Sequence, residues 1–297
     1  MAISTKAIKN RIKSVNNTKK ITKAMEMVAA SKMRRAVERS VASREYAGCA
    51  LKMLVNISKD NLLQHPLLKP GSGNKTMLVI VSSDKGLCGG FNINIFKELK
   101  QYMDAHDEVV EAVCVGKYSE RFAKKLKLHV VGSFIDMPDN LSPEDIRGIA
   151  RLVTDEYLKG DYRRVRMVYT NFISAMSNQV EIRGLLPVTE THLTRSIEST
   201  GGESNKESVA ISSMKLYQFE PSDEAVLNLV VPILTEVQIY QSLLESTASE
   251  YSSRMVAMKS ASENADEMVD DLTLSFNKAR QASITQEILE IASGAGI

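Results

Sequence analysis

The stretch SLLESTASEYSSRMVAMKSASENADEMVDDLTLSFNKA, residues 242–279, contains neither glycine nor proline, and its apolar residues recur at steps of three and four. Traced outward, the same seam runs through Val226, Val230, Ile233, Val237, Tyr240, Leu244, Thr247, Tyr251, Met255, Met258, Ser262, Ala265, Val269, Leu272, Phe276 and Ala279. The mean step is about 3.5 residues, the coiled-coil period rather than the 3.6 of a straight amphipathic helix. The glycine- and proline-free run extends over 233–293, roughly 90 Å if helical throughout. Residues 1–47 form a second such run. Its stripe is Ile8, Ile12, Val15, Thr22, Met25, Ala29, Met33 and Ala36, which needs a partner to bury it.

Charge supports pairing of the two ends. Residues 1–57 carry thirteen Lys and Arg against Glu26, Glu38 and Glu45, whereas 221–297 carry four basic residues against twelve acids. The whole chain, at +2, hides this asymmetry. The expected fold is therefore mixed: a long antiparallel, left-handed coiled coil of N- and C-terminal helices plus a small central α/β, Rossmann-like domain. An all-helical bundle with long helices is the alternative reading of the terminal pattern.

Between the ends the period changes. KTMLVIVSS (75–83), EVVEAVCVG (108–116), HVVGSF (129–134), RRVRMVYTNF (163–172) and QVEIRGLLPV (179–188) read as strands. Helical patterns at 92–106, 117–127 and 142–160 separate the first four. This βαβαβαββ order predicts a mostly parallel sheet covered by helices. The divisions are 1–57 for the N-terminal helix, 58–74 for a linker, 75–190 for the α/β domain, 191–215 for a flexible connector and 216–297 for the C-terminal helix. Within the connector, 192–208 is nearly devoid of apolar residues. Pro232 should kink the last helix or mark its start.

With 297 residues, 43% hydrophobic and no Trp, the chain can hold a real core rich in Leu, Met, Ala and Val. No uninterrupted apolar run reaches membrane-span length, and no signal region follows the N-terminus. A soluble, intracellular protein is expected. Cys49, Cys88 and Cys114 are odd in number and lack CxxC spacing, and the four histidines are scattered. Disulfide framework and metal site are both disfavoured. The turn SSDKGLCGGFN (82–92) lies between a strand and a helix, where a phosphate could be cradled. It matches neither GxxxxGK[ST] nor GxGxxG, and Cys88 has no base nearby in sequence. A structural turn is the expectation, with no catalytic residue, cofactor site or metal ligand. The basic N-terminal run alone also suits nucleic acid, but the acidic partner helix and scarce aromatics argue against it.

Three segments carry a more specific signal: NRIKSVNNTKKITKAMEMVAASKMRRA (10–36), VSSDKGLCGGFNINIF (81–96), and SEYSSRMVAMKSASENADEM with SFNKARQASITQEILEIASGA (249–268 and 275–295). Together they resemble the γ subunits of bacterial F-type ATP synthases. The resemblance implies a non-catalytic rotor shaft that couples ion flow through the membrane sector to ATP synthesis or hydrolysis on β. Its implied partners are three α and three β subunits, the ε subunit and the c-ring. Nucleic acid is not a partner, and membrane contact comes only through the complex, at the cytoplasmic face of the bacterial inner membrane. By motif, Met25, Arg254, Arg280, Gln281, Thr285 and Glu287 would meet β, with Arg254 and Gln281 making polar contacts to β acids. Lys6, Lys9, Arg11, Lys13, Lys19, Lys20 and Lys23 would line the shaft and face acidic β loops. The tail, with Ile284, Ile288, Leu289, Ile291 and Ile297, would sit in an apolar sleeve. Met25, Met27, Met33, Met255 and Met258 would offer a soft surface able to repack against successive partners.

Overall fold

A computed structural model describes residues 5–58, 65–188 and 223–294, with side chains for 5–43, 65–188 and 225–293. The expected connector at 191–215 and part of the linker lie outside the described residues. Helix α1 (Thr5–Ser58) and helix α5 (Asp223–Gly294) are the two long elements. Between them come a short 3-10 turn (Pro66–Leu68), β1 (Lys75–Val81), α2 (Phe91–Ala105), β2 (Val109–Val115), α3 (Lys117–Lys125), β3 (His129–Phe134), α4 (Pro143–Leu158), β4 (Tyr162–Phe172) and β5 (Asn178–Leu186). The chain divides into two compact units, 1–30 with 254–297 and 31–253.

In the larger unit the sheet order is β3-β2-β1-β4-β5, parallel except for the β4–β5 hairpin. Alternation along the strands divides the core into two faces. Leu78, Ile80, Ala112, Cys114 and Val168 pack under Phe91, Ile95 and Leu99 of α2 and Ala123 of α3. On the other face Met77, Val79, Val113, Val165, Met167 and Tyr169 pack under Ile146, Ile149 and Val153 of α4. That second face is completed by the early part of α5, through Leu227, Val231, Leu234, Ile239, Leu243 and Leu244.

This last packing corrects the seam read between 226 and 240. There the buried positions are Leu227, Val231, Leu234, Thr235 and Ile239, while Ile233 is exposed. The buried set is displaced by about one residue because this part of α5 covers a sheet and is apolar on nearly all sides. Pro232 lies inside α5, which begins before it. The same packing explains why an 18-residue window of this helix reaches a mean hydropathy of 1.3, with 44% of it buried inside the molecule. A core-facing helix passes a hydropathy test for its own reasons.

The serines of α5 tie it to the β4–β5 hairpin. Ser249 donates to the Thr170 carbonyl at 3.2 Å, Ser252 to the Ala175 carbonyl at 2.6 Å, and Asn178 Nδ2 donates to Ser253 at 3.4 Å. These buried hydroxyls thereby satisfy carbonyls that would otherwise be stranded.

Candidate functional site: the paired terminal helices

Helix pairing is antiparallel. In the larger unit, Lys32 lies over the Tyr251 ring, its Nζ 5.3 Å from the centroid, while Ser43 Oγ donates to Gln241 Oε1 at 2.5 Å. Numbers therefore rise along α1 as they fall along α5. In the smaller unit Lys19 pairs with Asp266. From Ala265 onward the half-buried or buried residues of α5 are Ala265, Val269, Leu272, Phe276 and Ala279, all on the expected seam. On α1 the matching set is Ile8, Ile12, Val15, Lys19, Thr22, Met25, Ala29, Met33 and Ala36. Lys19 thus fills the seven-residue gap between Val15 and Thr22. Its aliphatic stem follows the seam and its ammonium reaches Asp266 at the rim.

Lys19 belongs to the expected cationic set and differs from the others in this pairing along the seam. Lys6, Lys9, Arg11, Lys13 and Lys20 are exposed. Lys23 is exposed and bonded to Glu26 one turn on, at 3.0 Å. Lys6, Lys9, Lys13, Lys20 and Lys23 recur at three, four, seven and three residues, which makes them one stripe beside the seam.

Counting along equal-pitch helices from the Lys19–Asp266 pair sets Thr5 opposite about residue 280. Every residue from 280 to 293 is exposed. Among them Ile284, Ile288, Leu289 and Ile291 are 48%, 60%, 63% and 72% exposed. The first three of the isoleucines, at i, i+4 and i+7, share one face of the helix. Of the residues assigned to partner contact, Arg280, Gln281, Thr285 and Glu287 lie on this exposed end, and Met25 is half-buried on the seam between Thr22 and Ala29. Arg254 is only 8% exposed. Its guanidinium is engaged within the chain.

Two polar clusters in the larger unit were not anticipated. Asp139 accepts from Lys32 Nζ at 2.5 Å and from the Tyr251 hydroxyl. Those two donors, Lys32 foremost, hold its carboxyl below the usual carboxylate range. A depressed folded value means stability that is present above the ordinary carboxylate pKa and lost as pH falls through the folded one. The chain should therefore lose stability as pH falls below the ordinary carboxylate range, about pH 4, and Asp139→Asn should flatten that limb by less than about 1 kcal/mol, the group being partly solvated. Urea midpoints of both proteins across that range test it.

The second cluster is buried. Gln241 Nε2 donates to Ser40 Oγ at 3.1 Å and to Glu245 Oε1 at 2.9 Å. Glu245, 3% exposed, stands in the field of Arg183, which also donates to Glu181 at 3.0 Å. Burial, with the Glu245 and Glu181 carboxylates adding to it, keeps the neighbouring Tyr169 phenol protonated well above its ordinary range. The only sequence sign of this network was a glutamate and a glutamine on an otherwise apolar face.

The turn 82–92 is occupied with its own backbone. Asn92 Oδ1 accepts from Ser83 N at 3.2 Å, while Asn92 Nδ2 donates to Ser83 Oγ at 2.7 Å and Cys88 Sγ at 3.2 Å. Ser83 Oγ donates to the Lys85 carbonyl at 2.8 Å. These bonds suit a structural turn.

The ATP synthase family pattern matches residues 4–296. The ATP synthase gamma chain of Heliobacterium modesticaldum is 40% identical over 292 residues, 97% of each chain. That of Acidithiobacillus ferrooxidans is 40% identical over 294 residues, 98% of each. The chain belongs to the ATP synthase gamma-chain family. The gamma chain is a non-catalytic subunit of that complex. A chain from the central stalk and c-ring structure of the Tetrahymena thermophila mitochondrial ATP synthase is 27% identical, with a TM-score of 0.60, over 82% of this chain and 99% of its own. A Euglena gracilis mitochondrial ATP synthase chain, 19% identical with a TM-score of 0.66, shares the fold over 98% of this chain and 93% of its own.

Proposed function

We propose that the paired helices are the rotor shaft of the ATP synthase and that the exposed end of α5 is its bearing tip. The observation that carries this is the unmatched length of α5: residues 280–293 are exposed and present an apolar stripe with no counterpart among the described residues of α1. The shaft turns within three α and three β subunits and connects through ε to the c-ring, at the cytoplasmic face of a bacterial inner membrane. Seam packing stiffens the paired length, because a lone helix in water is marginal.

Coupling requires the shaft to bias three chemically identical β subunits in turn. Moving a site from 1:99 to 99:1 takes about 5.5 kcal/mol of differential contact energy. A surface ion pair supplies roughly 0–1 kcal/mol, so many contacts must share the work. Met25, Arg280, Gln281, Thr285 and Glu287 form the proposed β-contact set, and Lys6, Lys9, Arg11, Lys13, Lys20 and Lys23 the cationic surface opposite β acids. Arg254 acts instead inside the coil, and Lys19 in fixing its register.

Replacing Arg280 and Gln281 together by alanine should slow ATP synthesis in membrane vesicles severalfold while the complex still assembles. Both side chains are exposed, so the chain's own stability should stay within about 0.5 kcal/mol. An unaltered synthesis rate in fully assembled complex would remove these two residues from the contact set.

A further inference from the structure

A cavity of about 310 Å³ opens between α1, the segment before α4 and α5. Its volume is at the lower end of small-molecule sites. Lys32, Arg35 and Arg39 contribute three cations to its lining against one acid, Asp139. Lys32 and Tyr251 both donate to that acid, which offsets its charge. Arg35 and Arg39 stand one turn apart on a single face of α1. Arg35 donates to Ser31 Oγ at 3.3 Å, and among the described residues neither guanidinium has an acidic partner within ion-pair distance. Asn140 adds an amide, and Thr247 adds a hydroxyl whose proton goes to the Leu243 carbonyl at 2.8 Å. The floor is apolar and buried, through Ala36, Leu141 and Leu244.

Paired guanidiniums over a recess match the planar, bidentate geometry that oxyanions accept best. We propose that this cavity binds a small, multiply charged phosphate anion of the pyrophosphate class, with Arg35 and Arg39 as its principal ligands. A single phosphate would leave most of the volume empty, whereas a diphosphate has two phosphoryl groups to offer to two arginines whose Cβ atoms stand about 5 to 6 Å apart, one helical turn. The Asp139 carboxylate is the one acid in the lining and opposes such a ligand.

Titration calorimetry of the full chain with sodium pyrophosphate, at constant ionic strength, tests the site. Saturable one-to-one binding is expected. Arg35→Ala with Arg39→Ala should weaken it at least tenfold, and Asp139→Asn should tighten it severalfold. Arg34→Ala, an exposed neighbour outside the cavity lining, should change it less than twofold. Equal loss with Arg34→Ala would reduce the effect to general surface charge and overturn the site, as would the absence of saturable heat. ADP in place of pyrophosphate distinguishes the sources of the group: binding that is also lost with the two arginines supports a diphosphate site, and ADP binding indifferent to them overturns it. An acidic peptide such as hexaglutamate that binds where pyrophosphate does not would likewise overturn it.

Discussion

Replacing Arg183 by leucine should cost about 3–5 kcal/mol of unfolding free energy in urea denaturation of the full chain. The guanidinium donates to Glu181 at 3.0 Å and lies in the field of a second carboxylate, Glu245, which is 3% exposed. Without it, two like charges remain close together, one of them fully desolvated, and an uncompensated buried charge is among the most expensive defects a core can carry. A second substitution separates this cause from simple loss of packing. In Arg183→Leu, adding Glu245→Gln removes the stranded charge, and the amide oxygen can still accept from Gln241. The double variant should recover a large part of the loss. If it proves as unstable as the single one, the charge account is wrong and volume decides.

Gly116→Ala should be comparably severe, at about 3 kcal/mol or more by the same measurement. The residue has φ near 91°, where side chains are strained. A Cβ there would fall 2.2 Å from the Ser82 carbonyl oxygen and 2.8 Å from its carbon, which are backbone atoms. Neither side can retreat cheaply. Ser82 N is bonded to the Val115 carbonyl at 2.9 Å, and Gly116 N to the Phe134 carbonyl at 2.8 Å. Relief would have to separate β1, β2 and β3 at their C-terminal ends, where the turn 82–92 begins. Near-native stability would mean that the sheet edge yields more easily than this bonding suggests.

The α/β order and the distal coil were both legible because each rests on a period that one environment enforces. From Ala265 to Ala279 a single partner helix buries a single stripe, so the heptad reads directly from the residues. Between 226 and 240 the environment is a sheet, several faces of the helix are covered, and LVVPIL is apolar in nearly every direction. Periodicity cannot choose a register there, and the reading slipped by one residue. Lys19 was missed for a different reason: residue type suggests surface, yet a long stem allows a lysine to occupy a seam position. Ser249 and Ser252 are fully buried because their partners are hairpin carbonyls far away in sequence. Such pairing leaves no local signature. The same holds for Arg254, whose motif is informative about family but silent about which way the guanidinium turns.

Lys19 and Asp266 meet across 247 residues of chain, and Ser43 and Gln241 across 198. These are contacts of very high sequence separation, and they impose an order on biogenesis. At about 5–20 residues per second, α1 leaves the ribosome roughly 10–50 s before the segment that covers its stripe. During that interval Ile8, Ile12, Val15 and Met33 have no native partner. The strong positive charge of the nascent segment keeps it apart from copies of itself while it waits. The segment that closes the first helix into place, from Gln241 past Asp266, follows the whole α/β domain in the chain, so α1 can dock only after that domain's residues have emerged.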